Sequence, residues 1–147
     1  MKKRVLILCT GNSARSQMAE GLLRHAAGDH FHVESAGTKP SLVRPEAVQV
    51  MREIGIEITT QRSKHLDEFA GQHFDYVLTV CDNANESCPI FPGTTTRIHQ
   101  SFEDPPPPSV HSEEDRLVVF RRVRDQMRSY LEQFASSHAD VQNLDVR

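Results

Sequence analysis

Cysteine is scarce in this chain: three among 147 residues, an odd number. That excludes a closed disulfide framework. A chain of this length buries about 68–70% of its unfolded surface, enough to need no staple of disulfides or metal. Long apolar runs are absent too, and none reaches the ~18 residues of a membrane span. Met1-Lys2-Lys3-Arg4 is basic, but the apolar run at 5–8 falls short of the ~7–15 residues of a signal peptide. A cytoplasmic protein is expected. Excess positive charge is missing as well: the net charge is −3, so there is no electrostatic footprint for nucleic acid. No internal repeat and no interdomain linker interrupts the chain. Prolines 105–108 make a rigid loop piece, because the helix after them still needs a sheet for its apolar face. The expectation is one domain over 1–135 and a polar tail over 136–147.

What is present alternates between two periods. The continuous apolar run at 5–8 predicts a buried strand that ends in a turn. Residues 16–27 predict a helix, with Met18, Leu22, Leu23 and Ala26 on one face. Further strands are expected at 31–36, 74–80 and, weakly, 95–99. A second helix is expected at 45–54, with Pro45 in its first turn. A long one is expected at 112–134, capped by Ser112 and favoured by Glu113, Glu114 and Asp115 at its positive end. Alternation of unbroken apolar strands with helices predicts an α/β fold, a parallel sheet covered on both faces.

The chemistry concentrates where the first strand ends, in Cys9-Thr10-Gly11-Asn12-Ser13-Ala14-Arg15-Ser16. A loop that follows a buried strand and opens a helix can aim its backbone N–H groups at one point. Arg15 offers a planar fork matching two oxygens of a tetrahedral oxyanion. Cys9 in that electropositive cup should have its thiolate favoured and its pKa lowered. Ser16 can donate to the thiolate, and Asn12 can hold the loop in a partly left-handed shape. A thiolate at the floor of an oxyanion cup is arranged for nucleophilic attack on the central atom. The plainer alternative is a buried core cysteine beside a surface arginine.

Cys81 falls at the carboxyl end of a strand expected beside the first, the edge where open α/β sheets place their sites. Cys88 follows it in a polar stretch. From the residues alone these two thiols could be inert or could exchange. Zinc would need closer spacing and a fourth ligand. The eight histidines show no metal spacing, so no metal is expected.

The C-x5-R-S pattern of Cys9 to Ser16 resembles the low-molecular-weight protein tyrosine phosphatase fold. The longer run Cys-Thr-Gly-Asn-Ser-Ala-Arg-Ser-Gln-Met-Ala-Glu-Gly resembles the arsenate reductases built on that fold. Glu34-Ser35-Ala36-Gly37, the 81–92 segment and Asp104-Pro105 extend the resemblance over most of the chain. It implies a single three-layer α/β domain with a four-stranded parallel sheet in the order 2-1-3-4. It also implies a thiol relay: Cys9 attacks arsenate, Cys81 attacks Cys9 and releases arsenite, and Cys88 attacks Cys81. Thioredoxin would then reduce the Cys81–Cys88 disulfide. Asp104 would be the general acid, and Asn12, Ser16 and Ser35 would brace the loop. Because a disulfide demands Cα atoms within about 7 Å, the relay predicts rearrangement of the 82–92 segment between redox states.

Some relatives hold potassium near the loop with groups matching Asn12, Glu20 and Ser35. Here the matching carboxylate falls at Lys64 and the threonine before it at Arg62. A cation beside an ammonium is unfavourable, so no potassium is expected and Lys64 supplies the charge instead. The expected partners are arsenate and thioredoxin, with neither nucleic acid nor membrane, and the expected state is a monomer. The alternative is a tyrosine phosphatase, which uses the same cup, thiolate and acid. Those enzymes usually carry aromatics after the aspartate–proline pair, where this chain has Pro106-Pro107-Pro108, and a second loop cysteine, where it has Ala14. A non-catalytic oxyanion or redox sensor is the third reading.

Overall fold

The computed structural model describes residues 2–81 and 91–146, with side chains described through residue 138. Strand β1 (Lys3–Cys9) leads into helix α1 (Arg15–Ala27), and strand β2 (Phe31–Gly37) into helix α2 (Pro45–Arg52). A 3-10 turn (Leu66–Phe69) precedes strands β3 (Tyr76–Thr79) and β4 (Thr96–His99), and helix α3 (Glu113–Val146) closes the chain.

The strands form one parallel sheet in the order β2-β1-β3-β4, the fold class expected from the sequence. The last five residues of β1 and all of β3 are buried. Successive side chains point to opposite faces, so burial without alternation means both faces are covered. Helix α1 is buried on more than its apolar stripe, because it lies against both α2 and α3. Gly21 permits this approach: a Cβ there would stand 2.7 Å from Ile58 Cγ2.

The chain leaves β1 toward β2 on one side and later returns to place β3 on the other. That reversal makes the carboxyl end of β1 the topological switch point, where a crevice opens. Leu8 has Ala36 on one side and Thr79 on the other. The loop carrying Cys9, the loop after Gly37 and the segment entering Cys81 therefore meet at one edge.

Several boundaries differ from expectation; the second helix ends at Arg52 rather than 54, and two differences have a clear physical reason. The third strand begins at Tyr76, not 74. Phe74 is apolar for another reason: its fully buried ring packs edge-on to Phe69 and Phe91, with centroids 5.7 and 5.5 Å away. Helix α3 starts as expected, with Asp115 N donating to Ser112 Oγ (3.2 Å), but runs past 134 to Val146. No glycine or proline lies between 113 and 146 to stop it, so the polar composition of the tail alone does not end the helix. Among the described residues no helix is long and apolar enough to cross a membrane.

Candidate active site

The loop between β1 and α1 has its carbonyls drawn outward. Lys39 N donates to Thr10 O (2.9 Å), and Arg44 N to Ser13 O (2.9 Å). Ser41 N (3.2 Å) and Ser63 Oγ (3.1 Å) donate to Gly11 O, and Gln17 Nε2 to Asn12 O (3.1 Å). A trans peptide holds its C=O and N–H antiparallel, and no described peptide is cis. The N–H groups of Gly11, Asn12, Ser13 and Ala14 therefore face the opposite way, into one concavity at the start of α1. Among the described residues none of them donates to a protein acceptor. Main-chain donors so placed, with a helix dipole behind them, are the arrangement an anion nest requires.

Asn12 holds its shape. Its φ is +46°, the left-handed region that asparagine tolerates, and its side chain is fully buried. Its Nδ2 donates to Ser16 Oγ (2.7 Å) and Ser35 Oγ (2.9 Å), while Oδ1 accepts from Gln17 Nε2 (3.0 Å) and Lys64 N (2.8 Å). Ser16 lends Asn12 a lone pair, so that bond leaves its own proton uncommitted.

The structure brings Cys9, Arg15, Cys81 and Asp104 together. Arg15 Nη1 donates to Phe102 O (3.1 Å), and its Nη2 lies 3.3 Å from Asp104 Oδ1. The Asp104 side chain is 77% exposed, so this acid stands on the rim of the cup. Cys9 and Cys81 are both buried, and Thr10 Oγ1 lies 3.4 Å from Cys81 Sγ. Cys88 and residues 82–90 of the segment expected to rearrange lie outside the described residues.

The expected lowering of the Cys9 pKa is corrected by the geometry. The hydrogen bond with Cys81 pushes the Cys9 thiol up, and burial pushes it further. The Arg15 charge and the Thr10 N–H pull the other way without prevailing. A cup built to favour a thiolate here contains a second thiol that favours the proton. Cys81→Ala is therefore expected to lower the Cys9 pKa. The check is the pH dependence of iodoacetamide alkylation, read on the Cys9 peptide by mass spectrometry. An unmoved profile would mean that the thiol pair does not control Cys9.

A family model for low molecular weight phosphotyrosine protein phosphatases matches residues 4–144. The chain belongs to that family. Within the phosphatase family its resemblance to the arsenate reductases also holds. It is 43% identical over 136 residues to the arsenate reductase of Halalkalibacterium halodurans, spanning 92% of this chain and 97% of the relative. A solved arsenate reductase in an oxidized state is 33% identical, with a TM-score of 0.73 over 92% of this chain and 98% of the other. The thioredoxin-dependent arsenate reductase of Corynebacterium glutamicum is 25% identical, with a TM-score of 0.71 over 92% of this chain and 61% of that one.

Behind the phosphatase-type loop lies a second charged group that the sequence partly anticipated. Buried Glu20 accepts from Ser35 Oγ and from Arg24 Nη2 (2.7 Å). The Lys64 ammonium lies 3.7 Å from Glu20 Oε1 and 3.9 Å from Glu34 Oε1, and donates to Arg62 O (3.3 Å). Sequence reasoning missed Gln17, Ser41, Ser63 and Arg44, which hold the loop carbonyls. Gln17 gave little signal, being one polar side chain among several in α1. Arg44 had none.

Proposed function

We propose that the protein reduces arsenate to arsenite through the three thiols and takes its electrons from thioredoxin. One observation carries this: a second buried thiol, Cys81, stands at the same sheet edge as Cys9, its Sγ 3.4 Å from the hydroxyl of Thr10, the residue next to Cys9. Ester hydrolysis needs one nucleophile and one acid. Two adjacent thiols are a two-electron reductant.

The arsenate oxygens take the N–H groups of the loop, with Arg15 as a charged fork. Arsenate, basic at neutral pH, accepts the Cys9 proton. Cys9 Sγ then attacks arsenic, forming an S–As bond, and one hydroxide leaves as water with a proton from Asp104. Deprotonated Cys81 attacks Cys9 Sγ. The S–S bond forms as the S–As bond breaks, and its electron pair stays on arsenic, which leaves as arsenite. Cys88 attacks Cys81 and frees Cys9, each step being ordinary thiolate exchange. The Cys81–Cys88 disulfide accepts two electrons from the thioredoxin dithiol. The C. glutamicum relative, named thioredoxin-dependent, supports this choice of donor. The Lys64 ammonium between Glu20 and Glu34 supports a reading in which the chain supplies its own cation there and needs no potassium.

The test is arsenate-dependent NADPH oxidation in the presence of thioredoxin and thioredoxin reductase. Turnover is expected from the wild type and lost in Cys9→Ser, Cys81→Ser and Cys88→Ser. The reading fails if arsenate is not reduced while a phosphate ester is hydrolysed and only Cys9→Ser stops it. That outcome would identify a phosphatase with two bystander cysteines.

A further inference from the structure

Ahead of Asp104 the chain is fastened by Phe102 N on Val80 O (3.1 Å) and by the Arg122–Glu103 pair (2.8 Å), but beyond the acid the main chain has fewer donors. Pro105, Pro106, Pro107 and Pro108 follow the acid, and proline has no N–H. Across four residues the main chain can be held only by its carbonyls. Two of these have partners: Val110 N donates to Pro107 O (3.0 Å) within the strap itself, and Arg44 Nη2, from outside it, donates to Pro106 O (3.0 Å).

The same residue grips the cup. Its backbone N–H holds Ser13 O (2.9 Å). Its guanidinium is fixed from two further directions. Nε (3.3 Å) and Nη2 (2.9 Å) bond the two oxygens of Glu46, and the Phe120 ring lies 5.0 Å away beneath Cζ. Glu46 is itself shared, since Arg116 Nε bonds it at 2.9 Å while Arg116 Nη1 holds His111 O (2.8 Å) at the far end of the strap. The Arg44 and Glu46 side chains are about nine-tenths buried, at 11% and 8% exposed. Burial opposes the Glu46 charge, yet the Arg44 and Arg116 bonds hold its carboxyl below the usual range. The node is thus charged and rigid.

We propose that Arg44 is a positioning residue for catalysis: it ties the proline strap to the oxyanion loop and so sets the distance from Asp104 to the bound oxyanion. Asp104 is then defined from three sides, by Arg15 across the cup, by Arg122 through the neighbouring Glu103 and by Arg44 from behind. The inference rests on Asp104 as general acid in the proposed reaction, and it goes beyond that reading by naming what fixes the acid.

The experiment is a double-mutant cycle on the full chain, measured as the single-turnover rate of Cys9 thiol loss with arsenate. Arg44→Met keeps the apolar stem on Phe120 and removes the strap bond. It is expected to slow turnover about tenfold, the scale of a misplaced catalytic group, with arsenate affinity unchanged. Arg44→Lys, with one donor retained, should fall between. Asp104→Asn should cost about a hundredfold, and adding Arg44→Met to it should cost nothing more. If Arg44→Met slows the Asp104→Asn enzyme by the same factor as the wild type, Arg44 acts on the oxyanion loop alone and the proposal is overturned. Wild-type speed in Arg44→Met overturns it as well. If the wild type does not reduce arsenate, the proposed function fails separately. The same cycle is then read on phenyl phosphate, whose leaving oxygen also needs the acid.

Discussion

Asn12→Ala is expected to cost the fold about 3–5 kcal/mol, most of the stability of a marginal domain. The substitution removes four bonds at once, to Ser16, Ser35, Gln17 and the Lys64 N–H; Gln17 keeps the Asn12 and Arg62 carbonyls and Ser35 keeps Glu20, while Ser16 and the buried Lys64 N–H lose theirs. Each buried group left unpaired costs about 1–3 kcal/mol, less where water or a neighbour steps in. Alanine at φ +46° adds about 1–2 kcal/mol of left-handed strain. Urea unfolding measures the total. Asn12→Gly separates the parts, because glycine removes the strain and keeps the stranded partners. A loss below about 1 kcal/mol for Asn12→Ala would show that water replaces the brace without penalty.

Gly37→Ala is expected to act on activity more than on stability. A Cβ at Gly37 would overlap Thr10 O and stand 3.0 Å from both Cys9 O and Asn12 N. All three are backbone atoms, so no flexible side chain can yield. The Thr10 peptide has to turn, and its far side is the Gly11 N–H that lines the cup. Overpacking of this kind costs about 1–3 kcal/mol of stability. Re-aiming one oxyanion donor costs about 10²–10³ in rate. Comparing the unfolding midpoint with the single-turnover rate decides the matter. A rate loss no larger than the stability loss explains would place Gly37 in the fold rather than in the site.

The sheet was legible because residues 5–8 of β1 are apolar without a break, and burial on both faces of a sheet accounts for four such residues in a row. The left-handed turn at Asn12 was legible from residue type, since few other side chains accept that backbone. Other features escaped for physical reasons. The end of α3 escapes a reading from composition because polarity is no stop signal where no breaker exists. The direction of the Cys9 shift was missed because the deciding neighbour, Cys81, is 72 positions away in the chain. Local sequence showed the charges around the thiol but not the thiol beside it. Arg44 was invisible because its two jobs, one for its N–H and one for its guanidinium, exist only once three segments have converged. Burial of Glu20 and Lys64 together was half-visible: the substitution at Lys64 was noticed, while its second carboxylate, Glu34, was not.

Under the proposed reaction the oxyanion is taken by main-chain N–H groups, and this bears on what can compete for them. Amide donors of fixed position count oxygens and charge. They do not weigh the atom at the centre. Phosphate, a tetrahedral oxyanion of the same charge, should therefore occupy the cup readily and act as a plain competitor. Under the proposed reaction selectivity arises one step later. Cys81 can complete its attack only if the atom bonded to Cys9 can leave with two more electrons, which arsenic(V) accepts and phosphorus(V) does not. Discrimination would then lie in commitment rather than in recognition, and abundant phosphate would tax the enzyme's occupancy without consuming its thiols.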